Sequence, residues 1–207
     1  RSISVLLGRL RFSHKRAKGR CGKADAAAQE RFITHWEPLK ASLGEQDDVY
    51  FMDVIHPQHN TQSGYGWIAK GKDYCLPSNT GRQLLNLNDA LSFKQLNITV
   101  QPAETINSQA ATRLLEDLER LQPLGNIHII ADNARYYRSQ LVKEYLSREG
   151  SHIQIHFLPP YSPNLNLIER LWGFFKRKAV YNVYYPTFLE FTLATHDFFR
   201  GIDKHHA

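Results

Sequence analysis

Hydrophobic and polar positions recur along this chain with two different periods, and the switch between them marks its elements. Ile3, Leu6, Leu7 and Leu10 stand at helical intervals, which predicts a short helix over residues 2–10. The basic, glycine-containing run FSHKRAKGRCGK breaks it. From Ala24 to Leu43 the chain is alanine-rich, with Phe32, Trp36 and Leu39 at helical spacing. A connecting helix is expected there, broken near Pro38 or Gly44.

Beyond Gly44 strands and helices alternate. DVYFMDVI at 48–55 is rich in β-formers and mostly apolar on both faces, as a central strand should be. GYGWIAKG and GRQLLNLNDALSF predict a second and a third strand, the latter turning at Asn88-Asp89, and residues 96–101 a further one. Together they make an antiparallel meander. Ala111, Leu114, Leu115, Leu118 and Leu121 form the apolar side of a helix over 108–121, which Pro123 and Gly125 terminate. A buried strand is expected at 127–131, a helix at 136–147, a strand at 152–158, and an aromatic-rich helix at 186–199 after Pro186. Between the last two, LPPYSPNLNLIERLW turns through three prolines into a helix. The order predicts an α/β fold whose mixed sheet combines an antiparallel meander with parallel strands joined by helical crossovers.

Composition narrows the picture. With 207 residues and 42% hydrophobic content the chain buries one substantial core plus an appendage, which excludes a disordered protein. No apolar run approaches the roughly 18 residues of a membrane span, and the start lacks a signal peptide's apolar centre. The chain begins at Arg1 and its one methionine is Met52, so it is expected to be a piece of something longer. Cys21 and Cys75 sit in no CxxC pattern, which argues against a disulfide framework or a cysteine zinc site and fits a reducing compartment. His56 with His59, or His152 with His156, can be pictured as ligand pairs, but no HExxH occurs; hydrogen-bonded histidines are the expectation.

Charge is uneven. Residues 1–24 carry eight basic side chains and no acid, so the overall +6 leaves −2 for the remainder. An arm containing Lys15, Arg16, Lys18 and Arg20 suits a polyanion, because each neutralised phosphate releases counterions. A solvated tail would look the same.

Three acids stand out against apolar surroundings. Asp53 lies inside Val49–Ile55, and Asp132 closes IHIIAD ahead of Asn133. An isolated carboxylate there pays several kcal/mol in desolvation unless paired, protonated, exposed at an edge or bound to a cation. Strand ends are also where open α/β sheets place ligands. Glu169 enters the last motif helix one step from the stripe Leu165, Ile168, Trp172, Phe175 and Ala179. By spacing, Asn166 and Glu169 equally make a capping-box arrangement, Asp53 an edge acid and Asp132 a turn former.

The joint pattern resolves these alternatives. LPPYSPNLNLIERLW resembles the signature of the DDE transposases of the Tc1/mariner and bacterial IS630 group, VYFMDVIHPQHN with YGWIAKG resembles the family's first-acid region, and IIADNARYY its second, with 36 residues between Asp132 and Glu169. GKADAAAQERF is similar to the segment that joins the DNA-binding and catalytic parts in IS630 members. The resemblance implies an RNase H-like catalytic domain at 45–207, preceded at 1–44 by the basic end of a DNA-binding module and a linker helix. It implies Asp53, Asp132 and Glu169 as catalytic acids and metal ligands for two Mg²⁺ or Mn²⁺ ions, with Asp53 bridging. Hard oxygen donors select such ions. Also implied are cleavage at element ends, 3′-hydroxyl strand transfer into target double-stranded DNA, a possible homodimer, and a bacterial cytoplasmic, nucleoid-associated setting. Asn133 is expected to orient a ligand, and Arg170, Lys176 and Arg177 to meet phosphates or simply solvent. Leu167 stands where the family usually has proline, and Asp89 where many members have glycine. These departures keep open a noncatalytic DNA-binding remnant, or a nuclease that cuts without joining.

Overall fold

Eight residues of almost unbroken β-forming character, Asp48–Ile55 (β1), take the centre of a five-stranded sheet. The computed structural model describes residues 3–12, 22–79 and 81–202. Ahead of β1 lie two helices, Ile3–Arg9 (α1) and Ala26–Ser42 (α2). After it come Leu87–Ser92 (β2), Ile98–Pro102 (β3), Ser108–Leu121 (α3), Ile127–Ala131 (β4), a 3₁₀ turn at Arg135–Arg138 and Gln140–Ser147 (α4). Ile153–Phe157 (β5), a 3₁₀ turn at Pro163–Leu165, Ile168–Phe175 (α5), a π-helical turn at Lys176–Val180 and Phe188–Arg200 (α6) complete the order. The strands run β3-β2-β1-β4-β5, with β1, β2 and β3 antiparallel and β1, β4 and β5 parallel.

Alternation along the strands sorts the core into two layers. Val49, Phe51 and Ile55 of β1, Leu87 and Leu91 of β2 and Ile130 of β4 pack against Ile168, Trp172, Phe175 and Phe199, with Phe32 and Trp36 of α2 alongside. Tyr50, Met52, Ala90, Ile127, Ile129 and Ala131 face the other way, onto Leu114, Leu115 and Leu118 of α3 and Tyr137 and Val142. A slip of one residue would exchange the faces, so the register is strongly specified.

Several expectations are corrected. Residues 64–71 form no strand; Tyr65 is 97% exposed and Trp67 fully so. Three glycines and no covering layer leave their β-propensity without burial to act through. Asn88 and Asp89 lie inside β2, not in a turn. Pro38 does not break α2, whose start is capped by the Asp25 side chain on the Ala28 N–H at 3.1 Å. The helix expected at 136–147 divides at Ser139, whose hydroxyl caps α4. The predicted DNA contacts Lys15, Arg16, Lys18 and Arg20 lie outside the described residues.

Two local features generate tests. Gly125 closes the turn after α3 at φ +80°, where an added Cβ would stand 2.1 Å from the Gln46 carbonyl oxygen. Gly125→Ala is expected to destabilise the fold by about 3 kcal/mol in urea unfolding, from backbone strain plus the clash. Separately, His35 of α2, His156 of β5 and His128 of β4 form a row, with ring nitrogens 3.3 Å and 3.1 Å apart. Burial and the two neighbouring imidazoles push His156 from 6.5 down to about 4. The unfolded chain therefore binds the extra proton between those values, and stability falls as pH drops through that window. Thermal melts of His156→Gln should show a weaker loss between pH 6.5 and 4 than the parent.

Candidate active site

Register carries the first two acids to the same level. In the parallel pair Phe51 lies beside Ile130; two residues further along each chain stand Asp53 and Asp132. Counting from those partners also sets both on the face covered by α5. Asp53 is pinned at both oxygens: Oδ1 accepts from the Val54 N–H at 2.8 Å, and Oδ2 from the Asn166 carboxamide at 3.3 Å. Asp132, just past β4, accepts from the Ala134 N–H at 3.0 Å, an Asx turn that opens the next segment. Glu169 is the second residue of α5. Asp53, Asp132 and Glu169 all line one cavity of about 520 Å³, walled by the loop from Leu158 to Pro163. Glu169 also borders a second cavity of about 320 Å³ that holds Lys176.

The carboxyls are electrostatically unequal. Burial pushes Asp53 from 3.8 up to about 7, and the charges of Asp132 and Glu169 add to the rise. Burial raises Glu169 as well, against the opposing pull of Lys176. A fourth acid, Asp89, stands directly across the antiparallel pair from Asp53, so both project to the same face. It is fully buried, and burial lifts its carboxyl well above the usual range, with the Trp172 indole and the Gln101 backbone drawing it partly back. Trp172 Nε1 and the two Asp89 oxygens close no hydrogen bond, so the indole's influence is that of a near donor and not of a formed pair. Asp89, whose charge burial therefore disfavours, lies within β2 and not in the expected turn. It does not line the acid cavity.

Side chains that look terminal in the sequence turn out to be connectors. Asn166 does not cap α5: the cap position is Leu167, with no side-chain cap bond. Its carboxamide instead donates to the Met52 carbonyl at 3.1 Å and to Asp53, because the motif loop lies across β1. The only cue in the sequence is a polar residue between the stripe positions Leu165 and Ile168. Asn133 is likewise occupied, donating to the Leu158 carbonyl and accepting from Arg138, whose guanidinium stacks 3.8 Å over Phe157. It joins the Asp132 turn to the start of the proline loop and also lines the cavity. Sequence reasoning missed Arg138. Gln29 of α2 reaches the same loop, donating to the Ser162 hydroxyl at 2.9 Å. Of the basic residues expected to meet phosphates, Arg170 and Arg177 are exposed and Lys176 is half-buried beside Glu169.

The donor chemistry fits a hard divalent cation: three carboxylates border one cavity, and the most buried of them is raised first by burial and then by the charges of the other two. Asn166, whose Oδ1 is buried without a partner, also lines that cavity. Among the described residues, no three His, Cys, Asp or Glu side chains gather into a complete ion-holding group, so the acids rim the cavity without closing on one point. Among the same residues no helix is long and apolar enough to cross a membrane.

Solved structures share this fold. The Mos1 transposase paired-end complex with left transposon end superposes with a TM-score of 0.62 at 15% identity, over 98% of this chain and 66% of that one. The Mos1 mariner paired-end complex with Mn gives 0.64 at 15% identity over 98% and 66%, and the Mos1 strand transfer complex 0.61 at 16% over 98% and 65%. The chain thus spans slightly less than two thirds of the length of these relatives, and the likeness shows an RNase H-like fold. No curated protein sequence matches the chain. Residues 48–192, from the first residue of β1 into α6, match the family described as DDE superfamily endonuclease. The motifs, the level acids and that match agree: the chain belongs to the DDE superfamily endonucleases.

Proposed function

We propose that the chain is the catalytic part of a DNA transposase of the Tc1/mariner and IS630 kind, cutting DNA at element ends and joining the freed 3′-hydroxyl to target DNA. One observation carries this reading: β1 and β4 deliver Asp53 and Asp132 to one level, and α5 brings Glu169 to the same cavity. These acids would hold one or two Mg²⁺ or Mn²⁺ ions, which when bound neutralise charge on the scissile phosphate and favour an oxygen nucleophile. The structures of Mos1 with Mn and as a strand transfer complex support the reading by analogy of fold.

The protein's own groups have separate tasks. Asp53, held at both oxygens, is the fixed reference of the site; Asp132 and Glu169 approach from a turn and a helix. Arg170, Lys176 and Arg177 follow Glu169 along α5 and its π turn and supply positive charge for a DNA backbone. Water is the nucleophile for cleavage and the 3′-hydroxyl for joining. Residues 45–207 form the catalytic unit, and residues 1–44 a basic arm and linker helix that add salt-sensitive, sequence-independent affinity. Two copies acting on paired ends is the assembly this reading favours.

The test uses a plasmid bearing the element ends, with Mn²⁺ or Mg²⁺, and scores nicking and joining separately. Asp132→Asn is expected to lower both roughly 10³-fold, the equivalent of several kcal/mol of lost charge stabilisation. An unchanged rate would make the acids structural, and nicking without joined product would leave a nuclease. A second expectation concerns the ion-free protein. Because the Asp53 carboxyl rises from 3.8 to about 7 on folding, the folded state holds a proton that the unfolded chain releases between those values, and stability falls as pH rises through them. Asp53→Asn should therefore stabilise the ion-free chain at pH 8 by about 1–3 kcal/mol in chemical unfolding.

A further inference from the structure

The acids reach the cavity on separate pieces of chain, β1 for the first and the loop-to-α5 junction for the third, and Asn166 is bonded to both. Its backbone N–H donates to the Pro163 carbonyl at 3.0 Å, and its carbonyl accepts from the Glu169 N–H at 3.3 Å, so the main chain of Asn166 sets where Glu169 starts. Its side chain crosses to β1, where one NH₂ group serves the Met52 carbonyl at 3.1 Å and Asp53 Oδ2 at 3.3 Å. Only 2% of Asn166 is exposed, so these bonds work without competition from water. With the Val54 N–H on the other oxygen at 2.8 Å, the Asp53 carboxylate cannot turn without breaking a bond.

We propose that Asn166 is a positioning residue, setting the plane of the Asp53 carboxylate for a divalent cation and locking the Glu169 loop to the strand that carries it. The inference rests on the functional reading above and goes beyond it, since Asn166 belongs to none of the three acids. The residue type follows from the bonds. Aspartate offers no donor and adds a fourth negative charge, leucine matches the size but leaves the Met52 carbonyl unserved, and glutamine carries an extra methylene into a filled site. The remaining Asn166 oxygen is buried and has no hydrogen-bond partner.

Groups that orient metal ligands are typically worth roughly 10–100-fold in metal affinity. Mn²⁺ binding, followed by loss of the free-ion EPR signal, should therefore weaken about 10–100-fold in Asn166→Leu, while circular dichroism shows a folded chain. Acting through Asp53 makes a sharper demand: in an Asp53→Asn background, Asn166→Leu should change Mn²⁺ affinity less than about twofold, as the two effects are not additive. Equal affinity in parent and Asn166→Leu, or additive losses in the double variant, would overturn the positioning role alone. Failure of the parent chain to bind Mn²⁺ would overturn the functional reading, and this inference with it. Should Asn166→Leu not fold, the unsubstituted protein still decides: the Asn166 side-chain NH₂ resonances should shift with added Mg²⁺ in step with site occupancy, and unmoved resonances would refute the role.

Discussion

A row of carboxyl groups laid across three neighbouring strands is the constraint to which the rest of the molecule answers. Asp89, Asp53 and Asp132 stand level on β2, β1 and just past β4, and Glu169 faces the same cavity as the last two. Like charges this close cannot all ionise cheaply in a half-buried setting. The fold relieves the conflict by making the acids unequal. Asp89 is fully buried, where its charge is disfavoured, burial raises Asp53 to about 7, and Glu169 is the most exposed of the set. Asp48, at the other end of β1, shows the contrasting structural solution, its buried carboxylate accepting from the Ser92 hydroxyl at 2.5 Å and the Val49 N–H at 2.7 Å.

Such a concentration of acids costs stability, and the two apolar layers on either face of the sheet offset it. The cost falls where the chemistry needs it: a carboxylate whose charge is disfavoured in the apo site has more to gain from a cation. Rigidity around the cavity follows the same logic. The proline loop is held by Asn133 at Leu158, by Gln29 of α2 at Ser162 and by Asn166 at β1. Because one of these holds comes from α2, that helix also braces the loop that walls the acids.

Local pattern made much of the fold legible. The bounds of β1, α3 and β4 follow from the apolar runs and periodicity, since each buries its apolar positions directly and is closed by strong stop signals such as Gly125. The segment from 64 to 71 misled for the opposite reason: its aromatic and β-branched residues look like a strand, yet no layer covers them. Of the two breaks expected in α2, the one near Gly44 holds, since the helix ends at Ser42, while Pro38 is tolerated because Phe32 and Trp36 hold the helix to the core.

For the site, sequence by itself put forward Asp53, Asp132 and Glu169 as candidates, because each interrupts or closes an apolar run within a motif that resembles one family. It did not determine the partners. Asn166 reads as a cap until the sheet register sets β1 beside the loop, where its amide serves Met52 and Asp53, and the bond from Asn133 to Leu158 likewise appears only when β4 lies beside β5. Asp89 reads as a turn residue until pairing places it opposite Asp53 under Trp172. The physical reason is the same in each case: a side chain's character is local, but the hydrogen-bond partner and the dielectric around it come from residues far away in the chain, and only tertiary structure brings those together.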